Sequence, residues 1–121
     1  MFFVMLKNVL ITGAGGYIGS RMVEIFLQRG YKVIALDRFF FGNVFEDLKA
    51  NKKLRIVRDD IRYFDKKVLK NIDIVIDLAS LSNDASSSLN PKITRDINYK
   101  GAVNVAALSK EMGVKKYIFS S

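Results

Sequence analysis

The sequence predicts an α/β fold in which about five parallel strands form a doubly wound sheet with helices on both faces. Short runs rich in β-branched residues alternate with helix-length segments along the 121 residues. These runs are apolar almost throughout, which is typical of strands that are buried on both faces. Because crossovers between parallel strands are right-handed, this order of segments favours the strand order 3-2-1-4-5.

Five runs have the length and composition of strands in such a sheet. They are residues 8–12, 32–36, 54–58, 73–78 and 115–120. The last run is followed only by Ser121. We therefore expect one domain, residues 1–121, that is truncated after its fifth strand.

The segment between the first two strands predicts a helix over 17–29, followed by Gly30 at its C-terminal cap. Its apolar face is expected to consist of Ile18, Met22, Ile25 and Phe26. Short helical pieces are predicted at 44–50 and 65–70, and the serine-rich segment 82–90 is predicted to be a loop. Pro91 is expected to open a long helix that runs to about Met112 and that Gly113 closes.

The composition excludes several classes of chemistry. The sequence contains neither cysteine nor histidine. Disulfides, thiolate metal sites, Ser-His-Asp catalysis and typical zinc sites are therefore excluded within these residues. No metal site is expected, and a reducing, cytoplasmic location fits the absence of cysteine.

The net charge of +8 raises the question of nucleic-acid binding. The basic residues are spread over predicted helix ends and loops, without a stripe interleaved with aromatic residues, so we expect ordinary solvated charge and no nucleic-acid partner. No apolar run approaches the ~18 residues of a membrane span, and residues 1–6 lack the features of a signal peptide. No membrane partner is expected.

A phosphate-binding turn is predicted between the first strand and the first helix. Gly13, Gly16 and Gly19 follow the strand with the spacing G-x-x-G-x-x-G. Glycines in this position permit a tight turn, let the backbone approach a pyrophosphate and bring helix and strand together. A Walker-type loop is excluded because Ser20 and Arg21 follow where lysine and Ser/Thr are required.

An acidic residue, Asp37, ends the second strand. A carboxylate there can accept both hydroxyl groups of an adenosine ribose and repel a 2′-phosphate, which favours NAD over NADP. Arg38 beside it leaves the alternative open, because arginine at this edge can hold a phosphate or stack on adenine.

The segment from Thr12 to Gly19, with Tyr17 and Ile18 before the last glycine, resembles the signature of the extended short-chain dehydrogenases/reductases. This family contains the NAD-dependent sugar-nucleotide epimerases and dehydratases, such as UDP-glucose 4-epimerase. The resemblance implies a Rossmann-type fold and NAD as cofactor, bound in part by Tyr17 and Ile18.

Four further segments match the family in order along the chain. Asp60 and Ile61 resemble a pair that contacts the amino group and the face of adenine, respectively. The resemblance implies cofactor contacts for the remaining matched residues, which are Leu78, Ala79 and Ser80 after the fourth strand, Asn98 in the long helix, and Ser120 in a Tyr-x-x-Ser-Ser segment at the fifth strand. Asp77 stands where the family often has histidine.

The resemblance also implies an activity. In the family, NAD transiently takes a hydride from a sugar carbon, a tyrosine acts as base, and a lysine lowers the pKa of that tyrosine. The catalytic Ser or Thr and the Tyr-x-x-x-Lys pair would lie beyond Ser121, so no catalytic residue is assigned and the chain alone is expected to be inactive. Tyr63 and Lys67 repeat the Tyr-x-x-x-Lys spacing, but their place after the third strand favours a surface role.

The polar loop after the fourth strand is a candidate substrate site, with Ser82 and Asn83 as expected contacts to a sugar nucleotide. A homodimer, to which the long helix could contribute, is a further implication of the resemblance. The alternative to an enzyme is a stand-alone NAD(H)-binding or regulatory module. The particular sugar nucleotide and the choice between epimerase, dehydratase and reductase stay open.

Overall fold

A computed structural model of the chain describes residues 6–39, 44–48, 50–79 and 91–120. The strands are β1 (Asn8–Thr12), β2 (Lys32–Asp37), β3 (Leu54–Arg58), β4 (Ile74–Asp77) and β5 (Lys116–Phe119). The helices are α1 (Tyr17–Gln28) and α2 (Pro91–Glu111), and two short 3-10 helices cover Glu46–Leu48 and Lys66–Leu69.

All the strands are parallel and lie in the order β3-β2-β1-β4-β5, as predicted. β1 is central, and its Val9 pairs with Val33 of β2 on one side and Ile74 of β4 on the other. The order of the strands reverses direction at β1, so β2 and β4 diverge from the same central strand. In a sheet of this kind the carboxyl ends of these strands form the crevice where ligands bind.

Alternate residues of β1 enter two separate hydrophobic clusters, because successive side chains of a strand point to opposite faces. Val9 and Ile11 pack with Val23 of α1 on one face of the sheet. Leu10 packs with Val105 of α2 on the other face. α1 thus covers one face of the sheet and α2 the other, and the central strands are buried on both sides. The expectation of buried strands was wrong for β5, which lies at the edge of the sheet and is exposed along its length.

The predicted apolar face of α1 was partly wrong. Ile18 is 51% exposed and Ile25 is 44% exposed, whereas Gly19 and Val23 are the buried residues of this helix. The reason is the close approach of Gly19 to the turn after β1, where an added Cβ would collide with the carbonyl oxygen of Gly13. This contact rotates the helix so that Gly19 and Val23 face the sheet and the two isoleucines turn to its flank.

The ends of the elements lie within a residue or two of the predicted positions. α1 ends at Gln28, and Gly30 follows in the left-handed region with φ of 87°. β4 begins one residue later than expected, at Ile74. The Asp73 side chain before it accepts hydrogen bonds from the backbone N–H groups of Lys7 and Asn8, at 2.9 and 3.0 Å. This carboxylate closes the amino ends of β1 and β4. In the described parts of the chain, neither helix is apolar enough over a sufficient length to cross a bilayer.

Ser109 of α2 generates a prediction about stability. It is 2% exposed, and its hydroxyl has no hydrogen-bond partner among the described residues. Because an unsatisfied buried hydroxyl carries a desolvation cost and alanine is the better helix former, we expect Ser109→Ala to raise the free energy of unfolding by about 1 kcal/mol. Urea denaturation followed by circular dichroism measures this change.

The matched control is Ser20→Ala in α1, where the hydroxyl donates to the Tyr17 carbonyl oxygen at 3.1 Å. Because that hydroxyl already has a hydrogen-bond partner, Ser20→Ala is expected to raise the free energy of unfolding by less than Ser109→Ala does. A loss of stability in Ser109→Ala would show that the hydroxyl has a partner in solution.

Candidate functional site

The turn after β1 contains glycines at which a side chain would collide with neighbouring atoms. Gly13 has φ of 66°, and a Cβ placed on it would lie 2.6 Å from the carbonyl carbon and oxygen of Leu78. Gly16 is the N-cap of α1 and offers no side-chain hydrogen bond to the helix. Backbone N–H groups at the start of α1 are therefore left without a side-chain acceptor, and the positive end of the helix dipole faces the same space.

Asp37 is held against this turn. Its Oδ2 accepts a hydrogen bond from the N–H of Gly15 at 2.8 Å, and its Oδ1 accepts one from the N–H of Phe39 at 2.9 Å. Gly15 was not among the predicted site residues, yet a Cβ there would lie 2.9 Å from the Phe39 ring and 3.1 Å from the Asp37 carboxylate. The carboxylate is thus fixed at the carboxyl end of β2, beside the amino end of α1.

A cleft of about 450 Å³ opens next to Asp37, at the carboxyl ends of β2 and β3. Its lining residues are Arg38, Phe39, Arg58, Asp59 and Asp60. The predicted residues Arg38 and Asp60 therefore meet in one cleft, where an Arg38 guanidinium nitrogen lies 3.6 Å from the Asp60 carboxylate.

Arg62 is a second partner of Asp60 and was not predicted. Its guanidinium donates to Asp60 at 2.8 Å through Nη2, and the hydrogen bond from Arg62 holds the pKa of Asp60 below its ordinary value. The same guanidinium lies 4.9 Å from the centre of the Tyr63 ring. Tyr63 is 74% exposed on the loop after β3, which agrees with the predicted surface role.

The loop after β3 is anchored to α2. The side-chain amide of Asn104 donates to the Ile61 carbonyl oxygen at 2.7 Å. A Cβ on Gly101 would collide with the end of the Ile61 side chain. Because glycine has no side chain, the helix can lie close to the loop. Asn104 was not predicted, although its spacing of three residues from Gly101 places both on one side of the helix. Asn98 lies one helical turn before Gly101 on α2 and is half-buried.

A polar network joins the carboxyl ends of β1 and β4 to the side chain of Tyr117 in β5. Asp77 is 1% exposed, and its two carboxylate oxygens accept from the Thr12 hydroxyl at 2.5 Å and the Tyr117 hydroxyl at 2.8 Å. Thr12 Oγ1 in turn accepts from the backbone N–H groups of Leu78 and Ala79, at 3.0 and 3.2 Å. Desolvation by burial, with the hydrogen bond to Asp77 as the next cause, raises the pKa of the Tyr117 phenol.

The structure thus brings together the three predicted glycines, Asp37 and the Leu78–Ala79 backbone, with Arg38 and Asp60 in the adjoining cleft. Tyr17 and Ile18 lie on the exposed side of the first turn of α1. Ser120 is half-buried, and its N–H donates to the Asp77 carbonyl oxygen at 3.2 Å. Ser80, Ser82 and Asn83 lie outside the described residues.

A second cleft, of about 480 Å³, lies at the amino ends of β1, β2 and β3. Four basic residues that are scattered in the sequence line it, namely Lys7, Arg29, Lys32 and Lys53. Lys53 Nζ donates to the carbonyl oxygen of Gly30 at 3.3 Å, which places positive charge at the C-terminal end of α1. Cations there compensate the negative end of the helix dipole. The carboxyl edge, and not this cleft, carries the features of a nucleotide site.

Gly13 supplies a test of the turn. Gly13→Ala would force a left-handed backbone on alanine and press its Cβ against the Leu78 carbonyl group, so we expect a loss of at least about 3 kcal/mol in the free energy of unfolding. Gly113→Ala is the matched control, because Gly113 has φ of 77° and no atom within 4 Å of the place that a Cβ would occupy. It should lose only about 1–2 kcal/mol in the same urea titration. Equal losses in the two variants would contradict the proposed contact with Leu78.

The stability that the Tyr117 hydroxyl contributes is expected to depend on pH. Its pKa in the folded state lies above the ordinary value of 10.0, so the stability it contributes is fully present below about pH 10 and is lost as the pH rises further. We expect wild type to exceed Tyr117→Phe by about 1 kcal/mol in the free energy of unfolding at about pH 8, and by less at about pH 11. Urea titrations at both values measure the difference. Tyr63→Phe, which removes an exposed hydroxyl, is the control, and a difference that stays constant with pH for Tyr117→Phe would contradict the expectation.

Comparison with known proteins agrees with this geometry. Residues 9–121 match the model of the NAD dependent epimerase/dehydratase family. A putative UDP-glucose 4-epimerase of Methanocaldococcus jannaschii is 34% identical over 93% of this chain and 37% of the relative. UDP-glucuronic acid decarboxylase 1 of Arabidopsis thaliana is 28% identical over 94% of this chain and 26% of the relative.

Solved structures show the same fold. A UDP-N-acetylglucosamine 4-epimerase of Methanobrevibacter ruminantium superposes with a TM-score of 0.81 at 32% identity, over 98% of this chain and 38% of that one. A UDP-glucose-4-epimerase of Stenotrophomonas maltophila with bound NAD superposes with a TM-score of 0.80 at 28% identity, over 95% and 37% of the two chains. The present chain spans less than two-fifths of the length of each of these relatives. Since the family model covers nearly all of its residues, the chain belongs to the NAD dependent epimerase/dehydratase family.

Proposed function

We propose that the chain is the NAD-binding portion of a sugar-nucleotide epimerase or dehydratase that acts by transient hydride transfer from a sugar carbon. The observation that carries the proposal is the glycine turn at the uncapped amino end of α1, with the Asp37 carboxylate hydrogen-bonded to it. The catalytic Ser or Thr and the Tyr-x-x-x-Lys pair are proposed to follow residue 121 in the intact enzyme.

The turn provides a cradle for a pyrophosphate. Side chains at Gly13, Gly15 or Gly19 would collide with neighbouring atoms, so the backbone itself forms the surface of the turn. Phosphate oxygens placed there would accept hydrogen bonds from the N–H groups of the first turn of α1 and lie at the positive end of its dipole. No acidic residue in the first turn of α1 opposes this placement.

Asp37 and the adjoining cleft suit the adenosine half of NAD. The Asp37 carboxylate is fixed by two backbone N–H groups and retains acceptor capacity for the ribose hydroxyl groups. The cleft beyond it has the room and the polar floor for adenine, with the Asp60 carboxylate held in place by Arg62. The expected contacts of Asp60 and Ile61 with adenine, and of Arg38 at its edge, remain proposals.

The nicotinamide half then lies on the other side of the turn. With the pyrophosphate over the end of β1 and adenosine over β2, the remaining half of the dinucleotide extends toward the ends of β4 and β5. Leu78 and Ala79 follow β4 and Ser120 follows β5 at this edge. When bound, NAD accepts and returns a hydride, and these residues would position its reactive ring.

A sugar nucleotide is the proposed substrate, with Ser82 and Asn83 as its proposed contacts. The relatives named above act on sugars carried by UDP, according to their names. Ser82 and Asn83 follow β4 in the sequence, and β4 ends on the side of the sheet proposed for nicotinamide. A homodimer of the intact enzyme is a further proposal.

Asp37→Asn tests the adenosine site. The substitution removes the charge that binds the ribose hydroxyl groups and repels a 2′-phosphate, so we expect the Kd for NAD to rise at least about tenfold and the preference for NAD over NADP to shrink. Isothermal titration calorimetry with each dinucleotide measures both effects. The control is Asp47→Asn, at an exposed carboxylate of the first 3-10 helix, which should leave both Kd values unchanged. Tighter binding of NADP than NAD by wild type would refute the role of Asp37.

A further inference from the structure

Asp77 is a buried carboxylate whose charge the fold alone does not require. It is 1% exposed and lies at the carboxyl end of the central strand pair β1 and β4, four positions after Asp73. Among the described residues it forms no ion pair, and its side chain is held by the hydroxyl groups of Thr12 and Tyr117. A carboxylate in such surroundings is costly to bury, so its retention calls for a role.

In the hydrogen-bond network of the structure, Asp77 serves as the acceptor. Thr12 Oγ1 accepts from two backbone N–H groups, at Leu78 and Ala79, so its own hydrogen is left to donate to Asp77 Oδ1. The Tyr117 hydroxyl donates to Oδ2. The raised pKa of Tyr117 keeps that proton on the phenol. Both carboxylate oxygens act as acceptors, which is the pattern of an unprotonated carboxyl group.

The effect of this carboxylate on a ligand depends on where the dinucleotide binds, so the inference rests on the proposed function. With adenosine over β2, the nicotinamide lies at the ends of β4 and β5, where Asp77 and Tyr117 are. The nicotinamide ring of NAD⁺ carries a positive charge, and the ring of NADH is neutral. A buried charge acts on such a ring through a medium of low effective dielectric constant, so its field is little screened.

We propose that the Asp77 carboxylate is a fixed negative charge that makes the site bind NAD⁺ more tightly relative to NADH. Thr12 and Tyr117 hold this charge in place without cancelling it, because both donors are neutral. Through Thr12 the same network fixes the Leu78–Ala79 backbone, so the charge and the wall of the nicotinamide site form one unit. Asp77 is thus a positioning residue that also sets the preference of the site for the oxidised cofactor.

The test compares the Kd values for NAD⁺ and NADH, measured by calorimetric titration of the whole chain, in wild type and two variants. Asp77→Asn keeps the shape of the side chain and removes its charge. We expect it to shift the ratio of the two Kd values by about three- to tenfold in favour of NADH. Tyr117→Phe removes a donor and keeps the charge, so its ratio should stay within about twofold of wild type even where both affinities fall. Asp47→Asn, which changes the net charge equally at an exposed site, should leave the ratio unchanged.

The outcomes separate this inference from the proposed function. If wild type binds neither form of the cofactor, the proposed function fails and the inference falls with it. If wild type binds both forms and Asp77→Asn weakens them by the same factor, Asp77 has only a structural role and the inference alone is overturned. Should Asp77→Asn fail to fold, Asp77→Ser removes the same charge and is expected to shift the ratio in the same direction. An unchanged ratio in that variant would overturn the inference.

Discussion

The close contact between the turn after β1 and the end of β4 is the constraint on which the rest of the site depends. Gly13 can lie against the Leu78 carbonyl group only because it lacks a side chain. The Thr12 hydroxyl then reaches the N–H groups of Leu78 and Ala79 and ties the two strand ends together. With β1 and β4 fixed at this level, α1 approaches through Gly19, and its amino end points into the crevice. A shift of this contact would displace the anion site and the Asp37 carboxylate together.

Three of the carboxylates at the crevice have different partners, which suit them to different roles. Asp37 is held by backbone N–H groups and remains half-buried, so it can still accept from a ligand. Asp60 forms an ion pair with the Arg62 guanidinium, which holds it in the wall of the cleft beside Asp37. Asp77 is buried and held by two neutral hydroxyl groups. The same functional group thus has three different environments along one edge of the sheet, which suit it to the three roles proposed above.

The sheet order, the strand positions and the glycine turn could be predicted because each depends on local patterns in the chain. Apolar runs such as 8–12 define strands, and glycines spaced around Gly16 define the turn. The face of α1 could not be predicted from apolarity, because the small size of Gly19 decided which side met the sheet. The bonds of Asn104 to Ile61 and of Tyr117 to Asp77 join residues 43 and 40 positions apart. Such contacts depend on how elements pack, and no local pattern indicates them.

The uncapped start of α1 links the folding of the chain to the supply of its cofactor. Because Gly16 offers no side-chain acceptor, the last hydrogen bonds of that helix end are left for an anion to complete. A ligand that binds only the folded state stabilises it by about 2.7 kcal/mol when present at a hundred times its Kd. The lifetime of the protein would then follow the dinucleotide level of its surroundings, and molecules deprived of cofactor would be the first to unfold and be degraded.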